Sequence, residues 1–522
     1  MRTKSWFFLG WPLVLANLLL FFAGCAPVEE KPPAALYTPP RLHAYAASDN
    51  QINLGWFPGK ECSCPTCVCR LVREKEILTQ DARQDYEDTG LKPDTTYEYR
   101  MVGEEGVVAR VTARTRPEQI IRKTPYLIFN DDPHTMTVMW QTTGEPDSTS
   151  IQWSTDPQFK RSGGKDSSYG ELPVGVDSLG LDENLYSFTI KNLSPDTTIF
   201  YRVFVNSETY KGSFKTPPSR QAPEVSFYAY GNTRRFPQAH DLVAAGIRQD
   251  IAQDPARRQT ICLHTGDFVT FGMDESYWDS EFFNPDFEHI QKFLGSVPLV
   301  GALGRHEIAR YPWFLPPGDG TGGHFFHKYW PLSMLTTRLP KSKDFYYSFD
   351  YGQVHFIVLD PFPTRMDPKL GFEVSWNAWP VSAQYKWLEQ DLNENQGKWL
   401  VVMINSPLYA PIKSDPKVRE FFEPLFQKYG VNLVLQGENP FYAREDVEGI
   451  SYVTLGGGGA ALKSPWPKDG KPPKDYQGVF ALDYHFARVD VNPEAMVVSV
   501  MKPGGQEIDT FSINRPVKGS KK

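Results

Sequence analysis

The sequence predicts a multi-domain chain in which two all-β sandwiches precede a layered α/β domain. Three observations carry this. The chain has 522 residues, several times the length of one typical domain of about 150 residues. Two segments echo one another, LKPDTTYEYRM from Leu91 and NLSPDTTIFYRV from Asn192, each set among short alternating runs; this is the mark of a repeated β unit. From Val225 onward the pattern changes to apolar runs that end in Gly-rich polar junctions and alternate with longer helix-like segments, the order of a layered α/β fold. Composition agrees, since 44 Pro and 40 Gly favour turns and short strands over a helical bundle. Lys and Arg number 55 against 62 Asp and Glu, a net charge of -7, so no basic surplus marks the chain as a nucleic-acid binder.

The chain opens with Arg2 and Lys4, an apolar stretch from Trp6 to Ala23, and small residues just before Cys25. This is the layout of an export signal over residues 1–24; an uncleaved anchor is the alternative, because the stretch is nearly long enough to span a bilayer. Phe22-Ala23-Gly24-Cys25 resembles the lipobox of bacterial lipoproteins. The resemblance implies lipidation of Cys25, attachment to the membrane through it, and an outer-membrane or cell-surface location. Residues 25–40, rich in Pro, read as a tether.

Residues 41–118 come next. LHAYAASDNQINLGW alternates as a strand, a turn at Ser48-Asp49-Asn50 and a second strand ending on Trp56, and a core role suffices for that tryptophan. With Tyr97 and Tyr99 alternating after the turn, the segment resembles a fibronectin type III domain of immunoglobulin-like architecture. Cys62, Cys64, Cys67 and Cys69 fall within eight residues. In an exported protein they read as two short disulfides; a tetrathiolate site for zinc or another metal is the alternative. Cys262 lies in an apolar strand and reads as a buried free thiol. Residues 123–217 form the second sandwich, which resembles the N-terminal domain of purple acid phosphatases.

Residues 223–513 form the large domain, followed by a basic tail at 514–522. Its junctions are YGNTR, HTGDFVTFG, GALGRHE, INSPLYA and LQGENPFYAR. Each sets polar residues just past the carboxyl end of an apolar strand, where ligands of α/β sheets gather. In order and spacing they resemble the calcineurin-like metallophosphoesterases, in particular the purple acid phosphatase branch, whose catalytic domain is a layered α-β-β-α sandwich.

That resemblance implies two metal ions held by carboxylates, an amide and three histidines, with a metal-bound hydroxide attacking phosphorus. This chain departs from the ligand set almost everywhere. Asn232 replaces the first aspartate, Thr270 a tyrosine, Arg305 the amide, Asn405 a histidine, and Glu438 and Pro440 the paired histidines. Asp267 alone is kept among the seven ligands; His306 is also kept, a phosphate contact in the family. A guanidinium, always protonated, opposes a cation at the same place. Arg305 is therefore expected to pair with Asp267 and Glu438 and to stand in for the metals' charge.

The expected protein is a lipid-anchored envelope pseudoenzyme, with no metal in its large domain and a surface protein or glycan as partner. Arg234, Arg305 and His306 are expected to form an anion pocket. The alternative is an active phosphoester hydrolase with one divalent metal on Asp267, Glu438 and a histidine such as His264. Single-residue roles compete with both: Asn232 and Asn405 serve equally as backbone caps. Gly456 to Gly459 lack the lysine of a phosphate loop and read as close backbone approach. His324 and His327 lie one helical turn apart without an evident third ligand.

Overall fold

The computed structural model describes residues 41–56, 69–79, 85–103, 106–159, 167–171, 184–308, 323–331, 345–367, 372–376, 378–412, 414–466, 472 and 476–515. The signal, the tether, Cys25, Cys62, Cys64, Cys67 and residues 516–522 of the basic tail lie outside the described residues. Among the described residues, no helix is long and apolar enough to cross a membrane.

The first β unit has two antiparallel sheets. One orders Leu42–Ala46, Gln51–Trp56 and Tyr86–Thr89; the other orders Glu76–Thr79, Arg70–Arg73, Thr96–Gly103 and Gly106–Arg114. Alternation decides which side chains point inward: Ile52, Leu54, Trp56, Leu71, Tyr99 and Met101 make one core. Trp56 has the core role expected of it. The Tyr97 hydroxyl accepts the Lys92 N–H at 2.9 Å, which fastens the turn that precedes its strand.

The second β unit differs from a self-contained sandwich. One of its sheets, Ser167–Glu171, Thr149–Ser154, Thr198–Val205 and Glu208–Lys215, is its own. Its other three strands, Leu185–Ile190, Met136–Thr142 and Ile121–Ile128, continue into a nine-stranded sheet of the large domain, joined where Ile128 pairs in parallel with Leu299. The tandem reading therefore needs correcting: the two β units repeat in sequence, but the second is fused to the α/β domain by sheet pairing. One register contact between strands distant in sequence leaves no local trace.

The large domain is layered. The nine-stranded sheet runs on through Leu299–Gly301, Ile261–His264, Val225–Tyr230, Phe486–Val491, Ala495–Met501 and Glu507–Asn514. It faces a seven-stranded sheet ordered Tyr347–Tyr351, Val354–Leu359, Trp399–Ile404, Leu433–Gln436, Ile450–Leu455, Tyr442–Val447 and Val479–Ala481. Both faces of the central parallel strands are covered, so their sequences are continuous apolar runs; all six residues of Val225–Tyr230 are buried. Phe227 meets Phe356 edge to face at 4.9 Å in the core between the sheets. Helices Pro237–Gln253 and Glu288–Leu294 cover one outer face, and Ala383–Glu394 with Pro416–Tyr429 cover the other. The carboxyl ends of Val225–Tyr230, Ile261–His264, Leu299–Gly301, Trp399–Ile404 and Leu433–Gln436 carry the junctions singled out in the sequence.

Candidate functional site

Three of these strand ends turn through backbone conformations unusual for residues with a Cβ. Asn232, Asp267 and Glu438 have φ of 58°, 60° and 60°, in the left-handed region that costs such residues about 1 kcal/mol or more each. Strain of this kind persists where the surroundings over-determine it, often at a functional site. The surroundings are tight. Asn232 N–H donates to Gly266 O at 3.0 Å and Arg234 N–H to Asp267 O at 3.3 Å, which ties the first two loops together. A Cβ on Gly304 would lie 2.1 Å from the Asp267 nitrogen, so the third loop closes on the second only because that position is glycine.

The structure brings Asn232, Asp267, Arg305, His306, Asn405 and Glu438 into one cluster, in which the side chains of Asn232, Asp267, His306 and Asn405 bond to backbone groups. Asn232 Nδ2 donates to Glu438 O at 2.9 Å. Asn405 Nδ2 donates to Thr265 O at 2.9 Å, and its Oδ1 accepts the Arg305 N–H at 3.2 Å. Both asparagines thus stitch loops, as the capping reading anticipated. Asp267, 1% exposed, accepts the His306 N–H on Oδ1 at 3.1 Å, while Oδ2 is buried without a protein partner. Burial pushes the Asp267 carboxyl up, opposed first by the charge of Arg234.

The role expected of Arg305 needs correction. Its Nε lies 3.3 Å from Glu438 Oε1, as anticipated, but its side chain is 57% exposed and its guanidinium sits over the Phe362 ring at 5.6 Å. No ion pair joins it to Asp267 among the described residues. The charge that opposes the burial of Asp267 most is that of Arg234, half-buried, with an Nε that is fully enclosed and unpaired; no ion pair joins the two among the described residues. Arg234 also acts on Glu281 and Glu307. The sequence identifies both arginines; which one turns inward depends on loop geometry that spacing does not encode.

His306 donates from Nδ1 to Thr270 O at 2.7 Å, the assignment that a carbonyl partner requires. Burial, then Arg234, holds its pKa well below the ordinary value, so the ring is neutral and Nε2 is an acceptor. His264 is not a spare metal ligand. Its Nε2 faces Thr233 Oγ1 at 3.1 Å, its Nδ1 accepts the Gly266 N–H at 3.2 Å, and its ring stacks on Phe268 at 3.7 Å.

Two acids emerge that sequence reasoning passed over. Glu307 accepts the N–H groups of Asp267, Phe268 and Gly304 at 2.8, 2.8 and 2.7 Å, and so shapes the loop that presents Asp267. Burial, then the nearby Asp267, raises its pKa to about 8, against those three donors. Its place in GRHE was a usable signal. Glu281 accepts Thr270 N–H at 2.7 Å, Thr270 Oγ1–H at 2.6 Å and Arg235 N–H at 2.9 Å; nothing in the sequence pointed to it.

The Gly456–Gly459 run packs as backbone. Gly458 N–H reaches Gly231 O at 2.8 Å, and a Cβ on Gly456 would meet Asn439 O at 1.7 Å. His327 stacks on Phe345 at 4.2 Å, and among the described residues no group of three His, Cys, Asp or Glu is placed to hold a metal. Cys69 is buried and disulfide-bonded, which removes its sulfur from a tetrathiolate site; Cys262 is buried and free.

The comparisons with known proteins agree with this architecture. Residues 123–227 match the purple acid phosphatase N-terminal domain, and residues 232–437 match the calcineurin-like phosphoesterase family. Purple acid phosphatase 1 of Ipomoea batatas is 26% identical, over 51% of this chain and 53% of its own length. A purple acid phosphatase of Glycine max is 27% identical, over 61% and 65%. The chain thus spans between about half and two thirds of these relatives. The structure of purple acid phosphatase PPD1 from yellow lupin covers 90% of this chain and 93% of its own, with a TM-score of 0.58 at 16% identity, a likeness of fold. The fold and the matches define the class: a purple-acid-phosphatase-like N-terminal β domain followed by an α/β metallophosphoesterase domain. More particularly, residues 123–227 and 232–437 are similar in sequence to those two families, and the curated relatives they match are purple acid phosphatases.

A dinuclear metal centre does not fit the donors this chain offers. Two close cations need bridging carboxylates and several further anionic or imidazole ligands. Here Asn405 Oδ1, the atom that would ligate, accepts the Arg305 N–H, Arg305 pairs with Glu438, and Arg234 brings a fixed positive charge against Asp267, so that of these positions only Asn232 Oδ1 and Asp267 Oδ2 are buried oxygens without a partner.

Proposed function

We propose that this protein binds an oxyanion of the phosphate-ester class at the cluster around Asp267 without a two-metal centre, and serves binding or assembly in the cell envelope. The observation that carries this is Arg234 acting on Asp267 while Arg305 engages Asn405 Oδ1 and Glu438. Arg234 and Arg305 both act on Asp267 and on His306, and arginine forks suit phosphate or carboxylate. Neutral His306, with Nε2 as acceptor, suits the O–H of a singly protonated phosphate. Titration calorimetry with inorganic phosphate tests this: saturable binding weakened by Arg234→Met supports it, and no heat at millimolar phosphate refutes it.

The finer assignments belong to the same proposal. The first β unit is a fibronectin type III-like, immunoglobulin-like sandwich. Cys25 carries the lipid, residues 25–40 tether the chain to the outer membrane or cell surface, and a surface protein or glycan is the partner. Support for these comes from the N-terminal residues and the repeat in sequence. Radiolabelled palmitate incorporation lost in Cys25→Ser tests the anchor.

A second reading is an active phosphoester hydrolase. It is favoured by relatives that are themselves named acid phosphatases and by the buried, unpaired Asp267 Oδ2. It requires a divalent ion on Asp267 and Glu438 without His264. Turnover of p-nitrophenyl phosphate with added zinc, manganese or iron that disappears in Asp267→Asn would establish it.

A further inference from the structure

We infer that the first β unit is a wall of this site rather than a freely reaching module, and that Asp85 is the positioning residue through which it acts. Asp85 leads into Tyr86–Thr89 and is buried. Its carboxylate takes both terminal nitrogens of Arg235, at 3.1 and 3.0 Å, a bidentate pair that fixes direction as well as distance. Arg235 follows Arg234 directly and is held at φ 77°, again left-handed for a residue with a Cβ. Its own N–H is tied to Glu281 Oε2 at 2.9 Å, the oxygen that also accepts Thr270 N–H. Thr270 in turn takes His306 Nδ1–H on its carbonyl. One short chain of contacts therefore runs from the first β unit to both Arg234 and His306.

The seam is built for this pair. A Cβ on Gly55 would fall 2.3 Å from Asp85 Oδ1 and 2.4 Å from His43 Nε2, so glycine in Gln51–Trp56 makes room for the carboxylate. Around it Tyr45 Oη–H donates to Gln238 Oε1 at 2.7 Å, Asn53 Nδ2 to Ser276 and Ser280 Oγ at 3.0 and 3.2 Å, and Arg116 to Asp279 O at 2.6 Å. His43 packs edge-on against Phe236 at 5.0 Å. A module swinging free on its linker would not bury charged groups in matched pairs across its boundary.

As far as ligand affinity is concerned, the inference rests on the oxyanion reading; its dynamic consequence does not. The experiment compares the full chain with Asp85→Asn, Gly55→Ala and Tyr45→Phe by hydrogen exchange and by phosphate titration. Asp85→Asn removes the charge, Gly55→Ala displaces the carboxylate while both charges remain, and Tyr45→Phe removes a seam hydrogen bond that goes to Gln238 and not to Arg235. Exchange at residues 231–236 and 268–271 should rise about tenfold in the first two, the size of a contact coupling of roughly 1.4 kcal/mol. Tyr45→Phe should leave it unchanged, and the strands Trp399–Ile404 and Leu433–Gln436 should stay protected in all three. Phosphate affinity should fall by a similar factor in Asp85→Asn and recover in Asp85→Glu. Unchanged exchange in residues 231–236, or an equal effect from Tyr45→Phe, would overturn the inference. Absence of phosphate binding in the unmodified chain would instead refute the oxyanion reading and leave exchange to decide. If Asp85→Asn does not fold, Gly55→Ala carries the same comparison.

Discussion

Removing Arg234 should cost more than removing Arg305, although the sequence gives Arg305 the conspicuous position. Arg305 is 57% exposed and Glu438 19% exposed. An ion pair open to solvent contributes about 0.2 to 1 kcal/mol, and the contact with Phe362 adds about 0.5 kcal/mol. Arg305→Ala should therefore lose about 1 kcal/mol. The charge of Arg234 offsets the burial of a carboxylate that is 1% exposed; breaking a buried pair in direct contact costs about 3 to 5 kcal/mol, which bounds this loss from above because no direct ion pair joins the two. His306 N–H still reaches Asp267 Oδ1 at 3.1 Å, so Arg234→Met should fall below that range, at about 2 kcal/mol. Without Arg234, burial raises the Asp267 pKa unopposed by its main counter-charge, so part of the lost stability should return as the buffer is acidified. Guanidinium unfolding of both variants and the unmodified chain, at pH 7 and pH 5, measures this. Equal losses for the two variants, or a larger loss for Arg305→Ala, would refute the assignment of Arg234 as the internal cation.

Further predictions concern features away from the site. His355 is fully buried between Asp350, at 2.7 Å from Nδ1, and Asp391, at 2.8 Å from Nε2; Lys398 and Arg220 also pair with Asp350, and Ser348 donates to Asp391. Burial alone would lower the His355 pKa, but the two carboxylates outweigh it and raise it. Burial likewise would raise that of Asp350, but His355 and Lys398 hold it well below the usual range. The histidine's contribution is thus complete below its unfolded pKa of about 6.5 and fades as pH rises through the folded value. The aspartate's is complete above about 3.9 and fades as pH falls through its depressed value. Thermal unfolding across pH should show this part of stability greatest between about 4 and 6.5, and His355→Gln should lose about 3 kcal/mol and flatten the alkaline limb. Reduction should lower the melting temperature through the first β unit, because Cys69 is disulfide-bonded; a non-reduced mass with every thiol free to alkylation would refute that.

Much of this was legible in the chain because the fold advertises itself locally. Buried parallel strands read as apolar runs, and several run into a glycine where a neighbouring loop leaves no space, as at Gly304 beside Asp267. The loss of Asn405 and Glu438 as imidazoles is likewise a matter of residue identity. What escaped the sequence is direction and distance. Arg234 and Arg305 offer the same chemistry, and only loop geometry turns one inward. Glu281 reaches Thr270 from the segment Trp278–Phe282, and Asp85 reaches Arg235 from 150 residues away; no periodicity records such contacts. The fusion of the second β unit through Ile128 and Leu299 is equally silent, since a strand looks alike whether its neighbour belongs to its own sandwich or to another sheet.

The most direct measurement is metal content of the full chain, isolated without reductant and equilibrated with zinc, manganese and iron, beside its Asp267→Asn variant. With Arg234 set against Asp267, and Arg305 engaging Asn405 Oδ1 and Glu438, metal content should be the same in both proteins, with no ion that depends on Asp267. One or two tightly held ions per chain that vanish in Asp267→Asn would contradict it and reinstate the metallohydrolase.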